Sequence, residues 1–246
     1  AISCKQWLTL TMTNTNRDDI EPLKIVVPSR RSASIRSQRT RGAIIFAAGT
    51  GREERIPVPV AVAKWLEKKQ ASSDFPLTSR DDVLKAIDAS ALKCAIRRVE
   101  GLVNRRDYSV EEIRRKLSQD GYGQMTVEAV IGSAKRGHVL DDMRFTSIFI
   151  RSKLGAGWGA YRIERELSRR GIELKDVPGW PEAFIDAEAE PDRAFKLVEH
   201  RRLSGKNDYA KLVRFLVGKG FSLHDAKAAA AQRLRESTAS TDTSLI

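Results

Sequence analysis

The sequence predicts an all-α fold, an elongated tandem array of three three-helix repeats behind a mostly unstructured basic N-terminal arm. Three observations predict it. Gly121, Gly171 and Gly220 lie 50 and 49 residues apart, and the residues before them recur in register. Apolar residues follow helical spacing from Asp81 onward, whereas residues 1–80 show no sustained period. Capping boxes, Ser109 with Glu112 and Ser222 with Asp225, mark helix starts, because hydroxyl and carboxylate satisfy each other's backbone donors there. Repeats of this length mark tandem supersecondary units.

Counting back from each glycine shows what repeats. Ser109, Gly159 and Asp208 come twelve residues earlier, all favoured N-cap types. Ile113, Ile163 and Leu212 come eight earlier, and Leu117, Leu167 and Leu216 four earlier. Tyr122, Ile172 or Phe221 follows the glycine. With the glycine at C′, the following residue is C″ and the leucine is C3, the two positions whose apolar contact closes a Schellman motif.

Residues 1–80 read as a flexible arm. They hold five of the eight prolines and five arginines between Arg30 and Arg41 with no acid. A short ordered piece is expected near Val60–Leu66. Removing residues 1–75 is therefore expected to leave thermal unfolding nearly unchanged. The chain opens on Ala, and Met12 is read as the natural start.

Repeat 1, residues 81–137, begins with a long helix striped by Val83, Leu84, Ile87, Ala91, Cys94, Ala95, Val99 and Leu102, ending near Asn104. A helix from Ser109 to Gln119 and another over about 126–136, with Val127, Val130 and Ile131 inward, complete it. Repeat 2, residues 138–187, opens with a helix capped at Asp141 and striped by Phe145, Ile148 and Phe149. Gly155, Gly157 and Gly159 then make a turn into a helix ending at Gly171. Pro178 and Pro181 break up the third helix of this repeat. Repeat 3, residues 188–236, has helices over 192–203, 208–219 and 222–235, followed by a frayed tail over 237–246.

The 246 residues carry a net charge of +12. Residues 1–80 contribute +7 and residues 201–236 +6, while 81–200 are balanced. Basic ends point to polyanions, most often nucleic acid. Two cysteines, Cys4 and Cys94, make no disulfide framework, which favours a reducing, cytoplasmic compartment. No apolar run reaches membrane-spanning length, so no membrane partner is expected.

Catalytic, cofactor and metal sites are not expected. Gly155, Gly157 and Gly159 follow a helix rather than a strand, so they make an inter-helix turn rather than a dinucleotide loop; Gly49 and Gly51 are a weaker signal still. Helix capping accounts for Asp141 and Asp142 without a metal. His138, His200 and His224 are far apart and lack a nucleophile elbow. Trp158 and Tyr108 precede two helix caps and are read as staples. The candidate partner or nucleic-acid contacts are all basic. Arg115, Arg165 and Arg214 recur six residues before the glycines, off the apolar stripe. Arg201, Arg202, Lys206, Lys211 and Lys219 belong to the basic C-terminal end.

Val139-Leu-Asp-Asp-Met-Arg-Phe145, the glycine turn, and Arg162-Ile-Glu-Arg-Glu-Leu167 with Gly171-Ile172 resemble the middle repeat of the RecX family, regulators of the RecA recombinase. Tyr108-Ser109 with Glu112, Lys116 and Leu117 is similar to its first repeat, and Lys219-Gly-Phe-Ser222 to the start of its last helix. The likeness covers roughly residues 85–236. It implies a row of three-helix repeats and a non-enzymatic protein that binds RecA or its filament on single-stranded DNA; a monomer is expected. It further implies inhibition of recombinase, ATPase and co-protease activity in DNA repair and the SOS response, with direct DNA binding as an added contact. The alternative is a helix-turn-helix-like transcription regulator. Against it, no second helix carries an N-terminal cluster of Arg, Asn and Gln for base edges.

Overall fold

The computed structural model describes residues 23–28, 41–48, 52–71 and 79–242. The expectations for Cys4, Met12, residues 30–39, Gly49, Gly51 and the last four residues lie outside these. The chain forms two compact units: the sequence up to Arg106 with Ile113–Val139, and Asp107–Glu112 with the sequence from Leu140. Mostly helical structure is as the sequence predicted.

Within the arm, the first unit holds a small sheet that the sequence reading did not foresee. Strands β1 (Lys24–Val26), β2 (Gly42–Ala48) and β3 (Arg52–Val58) form an antiparallel sheet in that order, with Ile44 opposite Ile25 and Ile56. Ala43, Ile44, Phe46 and Val58 are buried. Helix α1 (Val60–Ala71), foreseen over part of its length, buries Val62, Ala63 and Leu66. It packs on β1, β2 and the long helix α2 (Arg80–Val103). Gly42 admits this contact, since a Cβ there would lie 2.5 Å from that of Ala63. Strands of three to seven residues carry too few alternations to register as a period. Their partners, moreover, come from separate stretches of chain.

The expected outcome of the truncation therefore reverses. Removing residues 1–75 uncovers the α2 face beneath α1 and should cost roughly 2–4 kcal/mol at ordinary apolar-transfer values. Denaturant unfolding of the shortened chain beside the full one tests this; coincident midpoints would mean that α1 contributes nothing to the repeats.

Helix α2 starts at a capping box of Ser79 and Asp82 and ends at Asn104. Its stripe is buried at Val83, Ala91, Cys94, Ala95, Val99 and Leu102, as expected, while Leu84 and Ile87 are only half-buried and Ala86 is buried. Helices α3 (Val110–Asp120) and α4 (Gln124–Arg136) complete repeat 1, with Val127, Val130 and Ile131 buried. His138, with φ of 53°, closes α4 in a Schellman turn although it is not glycine. Val139 N–H there donates to the Ala134 carbonyl.

In the second unit, α5 (Asp142–Gly155) and α6 (Ala160–Ser168) begin repeat 2. Phe145 is buried but Ile148 is half exposed; Ile150, on the neighbouring face, takes its place in the core. The anticipated third helix is a 3₁₀ turn (Leu174–Asp176) followed by turns. Its Val177, Trp180 and Phe184 still close the core over Ile163 and Leu167. Repeat 3 holds α7 (Glu190–Lys196), shorter than the 192–203 expected, then α8 (Asp208–Lys219) and α9 (Leu223–Asp242). Helix α9 runs past Arg235 into the tail, and Ser222 and Asp225 cap it as predicted. The N-cap of α8 is Asn207, one residue before the Asp208 expected.

The three glycines do what their spacing implied. Gly121, Gly171 and Gly220 have φ of 94°, 74° and 96°. Tyr122, Ile172 and Phe221 donate to the carbonyls of Leu117, Leu167 and Leu216 at 3.1, 3.1 and 3.2 Å, the Schellman bond. Gly171→Val should cost roughly 1–3 kcal/mol, because the left-handed φ excludes a β-branched residue and a Cβ would sit 2.7 Å from that of Glu111. Gly218→Ala, in open space inside α8, should be neutral or stabilising. Equal effects in thermal unfolding would contradict this register.

Candidate partner and nucleic-acid interface

The second helices of the repeats meet end to start. At the N-terminus of α6, Gly159 N–H donates to the Lys219 carbonyl at 3.0 Å and Tyr161 N–H to the Gly220 carbonyl at 3.1 Å. The unpaired donors that begin one helix thus meet the unpaired acceptors that end the next. A related join occurs one repeat earlier, where the Ser109 hydroxyl rather than a backbone N–H donates to the Arg170 carbonyl at 2.9 Å. Asp142 seals it by accepting from Val110 N–H at 2.9 Å, a role that capping alone did not reveal. Arg170 bonds Glu166 at 2.7 Å, which holds that carboxyl below the usual range.

Several arginines are spent on structure. Arg193 is half buried, and burial pushes its pKa down; its guanidinium donates to the Leu154 and Trp158 carbonyls and pairs with Glu190. Arg162 stacks 3.9 Å from the Trp158 ring centroid, and Arg98 pairs with Asp120 at 2.8 Å. None of these was singled out from sequence. A basic residue beside a glycine turn or a helix cap was the available signal.

The predicted contact residues are mostly exposed. Arg115, Arg165 and Arg214 each lie on the solvent side of the second helix of a repeat. Arg214 Nε donates to the Ala210 carbonyl one turn back, which leaves its outer edge toward solvent. Arg201 and Lys219 both lie over the ring of Phe215, 4.0 and 5.6 Å from its centroid. Arg202 and Lys206 are exposed in the same loop region. Lys211 is 3.7 Å from Asp208, whose carboxyl is lowered chiefly by the Ser204 hydroxyl bond. Arg201 and Lys219 thus meet at Phe215, while Lys211 is partly neutralised. Among the described residues, no three His, Cys, Asp or Glu side chains gather as a metal site, and no helix is long and apolar enough to cross a membrane.

The family model for the second three-helix domain of RecX matches residues 141–176. The "Regulatory protein RecX" of Vibrio vulnificus (strain CMCP6) is 32% identical over 131 residues, covering 51% of this chain and 84% of the relative. The chain belongs to the RecX family. A RecX relative from Pseudomonas putida (strain ATCC 47054) is 30% identical over 135 residues, covering 52% of this chain and 85% of the relative. A crystal structure of RecX from Lactobacillus salivarius is similar over 59% of this chain and 97% of its own, at 16% identity and a TM-score of 0.49.

The residues that carried the RecX resemblance are structural. Leu140 and Phe145 are buried, Asp141 caps α5 through the N–H groups of Met143 and Arg144, and Asp142 ties α5 to the start of α3. Phe145 stacks on Phe149, and Trp158 meets Phe149 edge-on at 6.4 Å. In this chain the motif thus caps α5, fills its core and ties it to the start of α3.

Proposed function

We propose that this protein binds the RecA recombinase, or its filament on single-stranded DNA, and lowers its strand-exchange, ATP-hydrolysing and co-protease activities. It acts by binding and not by catalysis, needs no cofactor, and works in the cytoplasm during DNA repair and the SOS response. Membership of the RecX family carries this reading. The exposed Arg165 and Arg214, at one register of successive second helices in the second unit, and the cations at Phe215 support it, since spaced cations suit a repeating polyanionic partner. Direct contact with DNA through the same side chains adds a salt-dependent term.

Addition of the protein at less than one per RecA should lower single-strand-DNA-dependent ATP hydrolysis, and the protein alone should hydrolyse nothing. Unchanged RecA turnover, together with tight binding to one duplex sequence over random DNA, would establish a transcription regulator instead.

A further inference from the structure

The first unit contains a groove of about 640 Å³ that the reading above does not use. Its walls come from the turn into α1, from α2 and from the Schellman turn after α3. Pro59, Val60, Ala61, Cys94 and Tyr122 supply apolar surface, and Trp65 supplies an aromatic face. Cations surround that aromatic. Lys69 and Lys93 hold their ammonium groups 5.9 and 5.8 Å from the indole centroid, and Lys64, Arg97 and Arg98 line the groove. The single lining carboxylate, Asp120, is already paired with Arg98. Lys64, Lys93 and Arg97 are exposed, so their charge is presented to solvent. Cys94 hardly contributes to the charge balance, because burial pushes its thiol up and keeps it neutral.

We propose that this groove binds one unpaired base of single-stranded nucleic acid, packed on Trp65, with the flanking phosphates on Lys64, Arg97 and the two ammonium groups beside the indole. An aromatic face bracketed by cations is how proteins hold single strands without reading sequence: the ring takes the base and the cations take the backbone. The lysines at the indole need only swing outward as the base enters, exchanging a ring for phosphate oxygens. A duplex keeps its bases stacked inward and offers this groove phosphates alone. An acidic peptide would use the cations but leave the indole without a π partner, and it is the competing occupant. The inference concerns only the first unit and needs no RecA, so it stands or falls apart from the function proposed above.

The test uses the full-length protein and labelled oligothymidylate, read by fluorescence anisotropy. Trp65→Leu should weaken binding roughly 10-fold, Trp65→Phe should retain most of it, and Arg97→Glu should lower the salt slope by about one unit. An iodouracil-substituted oligonucleotide should photo-crosslink to the peptide containing Trp65, including in the triple variant Arg201→Glu, Arg202→Glu, Lys206→Glu. Equal affinity of wild type and a folded Trp65→Leu would overturn the proposal, as would crosslinks confined to repeat 3. So would Trp65-dependent binding of a poly-glutamate peptide with no binding of the oligonucleotide. Comparison of deoxy- and ribo-oligonucleotides then separates the two sources of single strand.

Discussion

Gly159→Ala should destabilise the second unit by about 3 kcal/mol or more, although it adds one methyl group at an ordinary φ of −85°. That Cβ would fall on the Gly220 carbonyl, a backbone atom that cannot rotate aside. Relief requires separating the end of α8 from the start of α6, which also forfeits the bonds from Gly159 and Tyr161, each worth about 1 kcal/mol net. The paired control is Gly123→Ala, at the N-cap of α4, which likewise lacks a side-chain cap but has open space around it. It should cost only about 1 kcal/mol or less, the penalty of an alanine in place of a glycine N-cap with no clash added. Chemical denaturation of both variants decides the matter, and comparable losses would show that the junction yields easily.

The second large effect is on function. Reversing Arg201, Arg202 and Lys206 to Glu should raise the concentration needed for half-inhibition of RecA ATP hydrolysis by roughly 10-fold at moderate salt, and flatten the salt dependence by up to about three units of slope. The side chains of all three are exposed, so unfolding should move by only a few tenths of a kcal/mol. Arg201 also lies over Phe215, and Arg201→Lys separates the two contributions: it keeps the charge and loses the planar stack. Unaltered inhibition by the triple variant, with normal folding, would move the contact away from repeat 3.

Much of this architecture was legible because its determinants are local. A helix cap, a Schellman turn and an i, i+4 stripe each involve residues within one or two turns, so their chemistry is written contiguously. Hence the sequence by itself determined the three glycine turns, the caps at Ser109, Asp141 and Ser222, the buried Ile113, Leu117, Ile163, Leu167, Leu212 and Leu216, and the outward register of Arg115, Arg165 and Arg214. The family resemblance rested on the same local signals.

What the tertiary structure alone decided involves partners far apart in the chain. Gly159 reads in sequence as an N-cap, while its actual constraint is the Gly220 backbone some sixty residues away. Asp142 reads as helix-end charge, yet it accepts a bond from Val110. Arg193 and Arg162 carry no signal of their own in sequence, yet one holds two carbonyls and the other covers Trp158. The sheet and α1 are the largest case. Short strands have no stability of their own, and their apolar residues acquire meaning only when Ile44, Phe46 and Leu66 are brought together. Local hydrogen-bonding rules can be read one turn at a time, whereas burial and close backbone approach exist only once the chain has returned upon itself.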